Sequence, residues 1–145
     1  MLDNLRPGDY LIIAFGHNDQ KKYDPGRFTV GSGDYTDETS FGYHLYQNYI
    51  KIAKEKGALP ILCTPIVRAA DNNDYSGATG HITPHGDYPQ AIRDLAKTFD
   101  VPVVDLTAIT KSLYVSIGFE EARWFHSVER GKYEGIGGAV VPDME

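Results

Sequence analysis

Apolar and polar positions change period several times along the chain. Asp9-Tyr10-Leu11-Ile12-Ile13-Ala14-Phe15 is a continuous apolar run behind the turn-forming Arg6-Pro7-Gly8. Such a run suits a strand covered on both faces, as in a parallel sheet. From Phe41 the spacing becomes helical: Phe41, Leu45, Tyr49, Ile52 and Ala53 share one face of a helix that stops at Gly57. Pro60-Ile61-Leu62-Cys63-Thr64-Pro65 reads as a second buried strand. Asp87, with Gln90 three residues on, supplies an N-cap and capping box. The helix it opens carries Tyr88, Ile92, Leu95, Ala96 and Phe99 on one side. Val101-Pro102-Val103-Val104-Asp105 is a third short strand. Leu106, Ile109, Leu113 and Ile117 then recur at helical spacing, and residues 119–125 read as a further short helix.

Two long stretches lack any period. Residues 16–40 are rich in Gly, Asp, Thr and Tyr, and residues 69–86 are polar and turn-forming. Loops of this length in a compact domain tend to be functional. Strands alternating with helices define the α/β class. Right-handed crossovers lay the three strands parallel with helices on the faces, and ligands then sit beyond the carboxyl ends of the strands. Both long loops leave strands at those ends.

Composition narrows the possibilities. The 145 residues make one domain the expectation for 1–145. The 14 Lys+Arg against 20 Asp+Glu leave a net charge of -6, which argues against a nucleic-acid partner. No apolar run approaches the roughly 18 residues of a membrane span, so no membrane partner is expected. Cys63 stands alone, which excludes an intrachain disulfide and a cysteine zinc cage.

Gly16-His17-Asn18-Asp19, directly after the first strand, carries the most chemistry. Gly16 permits a sharp turn at the strand tip, and the Asn18 amide is a neutral NH donor. A rigid neutral donor there is what an oxyanion hole for acyl transfer requires. Asp19 is placed to brace the turn by accepting backbone N–H groups. The competing reading is an Asx-type turn in which Asn18 and Asp19 serve only local backbone groups.

Leu5-Arg6-Pro7-Gly8-Asp9-Tyr10 and Phe15-Gly16-His17-Asn18-Asp19 resemble the third conserved block of the SGNH (GDSL-type) hydrolases, most nearly their rhamnogalacturonan acetylesterase-like branch. Lys56-Gly57-Ala58-Leu59-Pro60-Ile61-Leu62-Cys63-Thr64-Pro65 resembles that branch's second-half strand. Gly86-Asp87-Tyr88-Pro89-Gln90-Ala91, Val101-Pro102-Val103-Val104-Asp105-Leu106-Thr107, Trp124-Phe125-His126 and Gly131-Lys132-Tyr133 extend the likeness through the chain. The resemblance implies a flavodoxin-like three-layer α/β/α fold with a parallel sheet. It also implies a serine esterase that removes acetyl groups from pectic polysaccharide, secreted or periplasmic, with no metal or organic cofactor. Acetylated polysaccharide or oligosaccharide is the partner it implies. Of the family's oxyanion donors only the block-three Asn maps here, onto Asn18.

The departures are equally clear. Gly8-Asp9, Gly33-Asp34 and Gly86-Asp87 are followed by Tyr10, Tyr35 and Tyr88, never by the serine of the family's nucleophile block. His17, His44, His81, His85 and His126 are preceded at three residues by Ala14, Phe41, Ala78, Ile82 and Arg123, so no Asp-x-x-His base is present. Against the family, the chain corresponds to the middle of an enzyme, an incomplete fold expected to be inactive alone. The missing nucleophile strand would leave a sheet edge open to self-association. A non-catalytic carbohydrate-binding or interaction domain on the same scaffold is the alternative, and a flavodoxin-like small-molecule binder a third.

Three weaker features complete the reading. His81-Ile82-Thr83-Pro84-His85 has metal-ligand spacing on a helix, but Pro84 disfavours the helix, and a solvated loop is expected. Gly131-Lys132 and Gly135-Ile136-Gly137-Gly138 lack the Ser or Thr of a P-loop. His126 reads as a capping or packing residue.

Overall fold

A computed structural model describes residues 2–68, 81–122 and 125. Three strands, β1 (Tyr10–Ala14), β2 (Leu59–Cys63) and β5 (Val103–Val104), form a parallel sheet in the order β1-β2-β5. A two-residue pair, β3 (Ile82–Thr83) and β4 (Gly86–Asp87), is antiparallel and separate. The helices are α1 (Phe41–Leu45), α2 (Lys51–Glu55), α3 (Tyr88–Phe99), α4 (Leu106–Ile117) and α5 (Phe119–Ala122). The α/β class and the parallel sheet are as expected. The hairpin is not: residues 82–87 read as loop, because two-residue strands leave no alternation to detect.

β1 alternates between buried and exposed despite its unbroken apolar run. Leu11 and Ile13 enter a core with Phe41, Leu45, Ile50, Leu62, Tyr88, Ile92 and Leu95. Tyr10 and Ile12, on the other face, remain 69% and 66% exposed. The expectation of a strand covered on both faces therefore fails among the described residues. In the parallel register, Tyr10 pairs with Leu59 and Ile12 with Ile61. Among the described residues this face is thus an uncovered apolar row crossing two strands, and β1 hydrogen-bonds a neighbouring strand on one side only.

The helical stretch from Phe41 contains a detail that its spacing concealed. Between α1 and α2, residues Tyr46–Ile50 form a wide π-type turn, in which the Lys51 N–H reaches the Tyr46 carbonyl. The extra residue per turn advances the buried stripe by one position. Ile50 is fully buried in the core, and Tyr49 packs against the core while staying partly exposed. Ser40 opens this stretch, its Oγ accepting from the Tyr43 N–H at 2.9 Å.

Asp87 caps α3 as expected, accepting from the Gln90 N–H at 2.9 Å. The reciprocal half of the capping box is absent. Asp87 N–H donates to Gly31 O, while the Gln90 amide donates to Asp94. The helix buries Tyr88, Ile92, Leu95 and Ala96, and Phe99 stacks on Tyr46 with centroids 4.3 Å apart. In α4 the middle of the expected stripe faces outward instead, with Ile109 56% exposed and Leu113 40%, while Ile117 packs against Val67, Tyr114 and Ala122. The reason is at its first turn. Thr107 N–H donates to the Thr64 hydroxyl, and Thr107 Oγ1 donates to the Pro65 carbonyl. These bonds fix the helix rotation so that Thr107 and Tyr114 point inward. Asp105 caps α4 and takes a bidentate pair from Arg93 at 2.8 and 3.1 Å, which ties α3 to the end of β5.

The long segment 16–40 is held by backbone contact as well as by aromatic packing of Tyr35 on Tyr46 and Phe99. Gly31 N–H donates to His85 O, and Asp87 N–H to Gly31 O. The crossing is so close that a Cβ at Gly86, where φ is +129°, would lie 2.2 Å from Gly31 O. Only glycine fits both that backbone conformation and that approach. Tyr88 locks the same segment from below, its hydroxyl donating to Thr29 O at 2.6 Å. Burial, and then the charge of Asp19, push this phenol up to about 12.

Candidate active site

β1 ends at Ala14, and the chain turns at buried Gly16 with φ +120°. The Gly16 N–H donates to Asp19 Oδ2 at 3.0 Å, so the carboxylate closes the turn. Burial raises the Asp19 pKa above the usual carboxylate value. The N–H groups of Asp19 and Gly16, followed by the charges of His44 and His17, oppose that rise. The Gln20 amide donates to Gly16 O and His17 O at 3.2 and 3.4 Å. Arg68 donates to His17 O at 2.5 Å, and Asp19 O accepts from the Thr29 N–H.

Asn18 sits at the crest of this frame and is exposed. Its carbonyl accepts from the Lys21 N–H, but no described residue hydrogen-bonds its side-chain amide. The Asx-turn role belongs to Asp19 alone. Asn18 lines a cleft of about 490 Å³ beyond the carboxyl end of β1, together with His17, Arg27, His44, Asn48 and Tyr49. His44 and Asn48 lie one helical turn apart across the π-type turn. Tyr49, packed against the core on one side, also lines the cleft, its ring centroid 5.0 Å from that of Phe15. Wide turns of this kind are frequent at functional sites. Sequence periodicity placed Tyr49 on the core side, where it packs, and gave no sign that it, His44 and Asn48 also line a cleft.

The structure corrects the reading of His81 as part of a solvated loop. His81 is fully buried. Its Nε2 lies 2.6 Å from Ile66 O and its Nδ1 3.0 Å from the Gln20 amide nitrogen. Its ring meets His17 edge-on at 4.6 Å. His85 packs against Phe28 instead, so the two histidines of the H-x-x-x-H spacing do not converge. Residues 69–80, Trp124, His126, Gly131-Lys132-Tyr133 and the glycines at 135–138 lie outside the described residues.

A parallel α/β sheet with a glycine turn, an amide donor and a cleft at a strand's carboxyl end is the architecture of an incomplete SGNH hydrolase. No family model matches the chain. Individual proteins do. The rhamnogalacturonan acetylesterase RhgT of Bacillus subtilis is 38% identical over 139 residues, covering 90% of this chain and 52% of that protein. The probable rhamnogalacturonan acetylesterase YesY of Bacillus subtilis is 30% identical over 90% of the chain and 55% of its own length. The rhamnogalacturonan acetylesterase of Emericella nidulans is 29% identical over 97% of the chain and 60% of its own length. The crystal structure of the Bacillus subtilis protein YxiM superposes with a TM-score of 0.58 at 25% identity, covering 87% of this chain and 32% of that one. Over nine tenths of its length or more, the chain is thus similar to rhamnogalacturonan acetylesterases. It spans about half the length of the curated relatives it matches.

Proposed function

We propose that residues 1–145 form one partial SGNH hydrolase domain, carrying the oxyanion donor and part of the substrate cleft of a serine esterase that removes acetyl groups from pectic polysaccharide. The observation that carries this reading is Asn18: an exposed amide with no hydrogen-bond partner among the described residues, on a braced turn that lines a cleft. In that reading a serine attacks the acetyl carbonyl, a histidine takes its proton and an aspartate orients the histidine. Asn18 donates to the developing oxyanion, Gly16 allows the turn and Asp19 holds it. The sequence contains neither a Gly-Asp-Ser nor an Asp-x-x-His segment. The chain on its own is therefore proposed to be inactive. That same lack favours a second reading, a non-catalytic carbohydrate-binding or interaction domain on this scaffold.

Titrating the ¹⁵N-labelled chain with acetylated rhamnogalacturonan oligosaccharides tests the cleft. Shifts concentrated at His17, Asn18, His44, Asn48 and Tyr49 are expected, weaker with the deacetylated sugar. Shifts confined to other surfaces would contradict the assignment.

The open flank of β1 carries a second part of the proposal. Tyr10, Ile12 and Leu59 form an uncharged exposed row beside an unpaired strand edge. One copy of the chain presents both the edge and the apolar face that another copy needs, so an isologous dimer joined at β1 is proposed. Sedimentation should show dimers or larger species, and Ile12→Lys should shift them to monomer. A compact monomer at high concentration would contradict it.

A further inference from the structure

The Gln20 amide nitrogen has three neighbours, and two of them fix its orientation. Gly16 O and His17 O only accept, so the NH₂ end of Gln20 must face them. The third neighbour, His81 Nδ1 at 3.0 Å, must then accept as well. Ile66 O, at 2.6 Å from Nε2, requires the ring proton on that nitrogen. The network allows only the neutral Nε2–H tautomer of His81. Residues 61 positions apart thereby share one bond that reaches the backbone on both sides of the turn's first peptide.

We propose that His81 is a positioning residue that acts through Gln20 to fix the backbone of the Gly16-His17-Asn18 turn, and so the aim of the Asn18 amide into the cleft. The proposal rests on the reading of Asn18 as the oxyanion donor. A protonated His81 would turn an N–H toward the Gln20 NH₂, donor against donor. Rotating Gln20 to relieve this would set its Oε1 against the carbonyls of Gly16 and His17. Either way the turn loses its latch. Burial supports the neutral state. It holds His81 down at about 4, and the two charged or titratable groups facing it, His17 and Arg68, act in the same direction. The carbonyl of Ile66 acts against them. The sign of the pH dependence follows. The unfolded chain takes up this proton near the ordinary histidine value of 6.5, before the folded chain does. The stability contributed is complete above that pH and is lost as pH falls toward 4.

The test is NMR on the ¹⁵N-labelled chain. Long-range ¹H–¹⁵N spectra should show His81 as the Nε2–H tautomer at neutral pH. On acidification the Asn18 side-chain amide signals should move with the His81 midpoint. Gln20→Ala should shift and broaden those signals at pH 7 while His81 stays neutral. Gln20→Glu should raise the His81 midpoint by roughly 1–3 pH units, since a carboxylate favours the cation. Both variants alter a partly exposed side chain, so the test survives if His81→Phe fails to fold or the chain unfolds in acid. Three results would each overturn the proposal. They are an Nδ1–H tautomer, Asn18 signals indifferent to the His81 titration, and Asn18 signals unchanged in Gln20→Ala. If Asn18→Ala proves harmless to catalysis, the acyl-transfer reading falls while this coupling stands; if the Asn18 signals ignore Gln20, the reverse holds.

Discussion

Assayed alone, the chain should turn over p-nitrophenyl acetate no faster than its own denatured control. Acyl transfer needs an attacking group and a base to take its proton, and removing either from a serine hydrolase lowers kcat on the order of 10⁶-fold. No serine lines the described cleft. Tyr49 is packed on Phe15, and His81 is buried with both ring nitrogens engaged. His44 lines the cleft, but its family-spaced neighbour is Phe41, an apolar core residue that cannot orient it. An oxyanion donor without a nucleophile stabilises a tetrahedral intermediate that never forms. Turnover well above the control, abolished by a serine-directed phosphonate, would show an attacking serine in this chain and overturn the proposed inactivity.

The strands were legible because each is an apolar run with turn residues beside it, and α3 was legible from Asp87 and the spacing of Tyr88, Ile92 and Leu95. Legibility ended where a contact between distant residues outweighed local period. The π-type turn brings Ile50 fully into the core beside the partly buried Tyr49, and no pattern of apolar residues announces such an insertion. Thr64 and Thr107, two hydroxyl-bearing residues 43 positions apart, set the rotation of α4 against the stripe its own sequence displays. The segment 16–40 looked unstructured because its order comes from Gly31 meeting Gly86, from a tyrosine hydroxyl and from the packing of Tyr35. None of these leaves a periodic signal.

The candidate site divides in the same way. Gly16, Asn18 and Asp19 were readable as one turn, since the glycine, the amide and the carboxylate are adjacent in the chain. Which of Asn18 and Asp19 serves the backbone was not readable, because either side chain can accept an N–H. The structure gives that bond to Asp19. Gln20, His81 and Arg68, which complete the frame, come from three separate segments. His81 in particular looked polar and loop-borne, and only the packing around Ile66 and His17 places it inside.

Asn18 carries the remaining large effect. With this chain fused between flanking segments that carry a Gly-Asp-Ser and an Asp-x-x-His block, Asn18→Ala should lower kcat by roughly 10²–10³ and leave KM nearly unchanged. Negative charge on the former carbonyl oxygen is greatest in the tetrahedral intermediate, so the donor's contribution appears there and barely in the ground-state complex. Asn18→Asp should be at least as damaging, because a carboxylate facing an oxyanion repels it. A turn-forming role predicts the opposite order, since Asp still accepts backbone N–H groups and Ala does not. Measuring kcat and Tm for both variants of the fusion is the most direct test of the account. It predicts a loss of kcat in each, with Asn18→Asp no better than Asn18→Ala and with little change in Tm. Near-native activity in Asn18→Asp, with Asn18→Ala losing mainly stability, would contradict it.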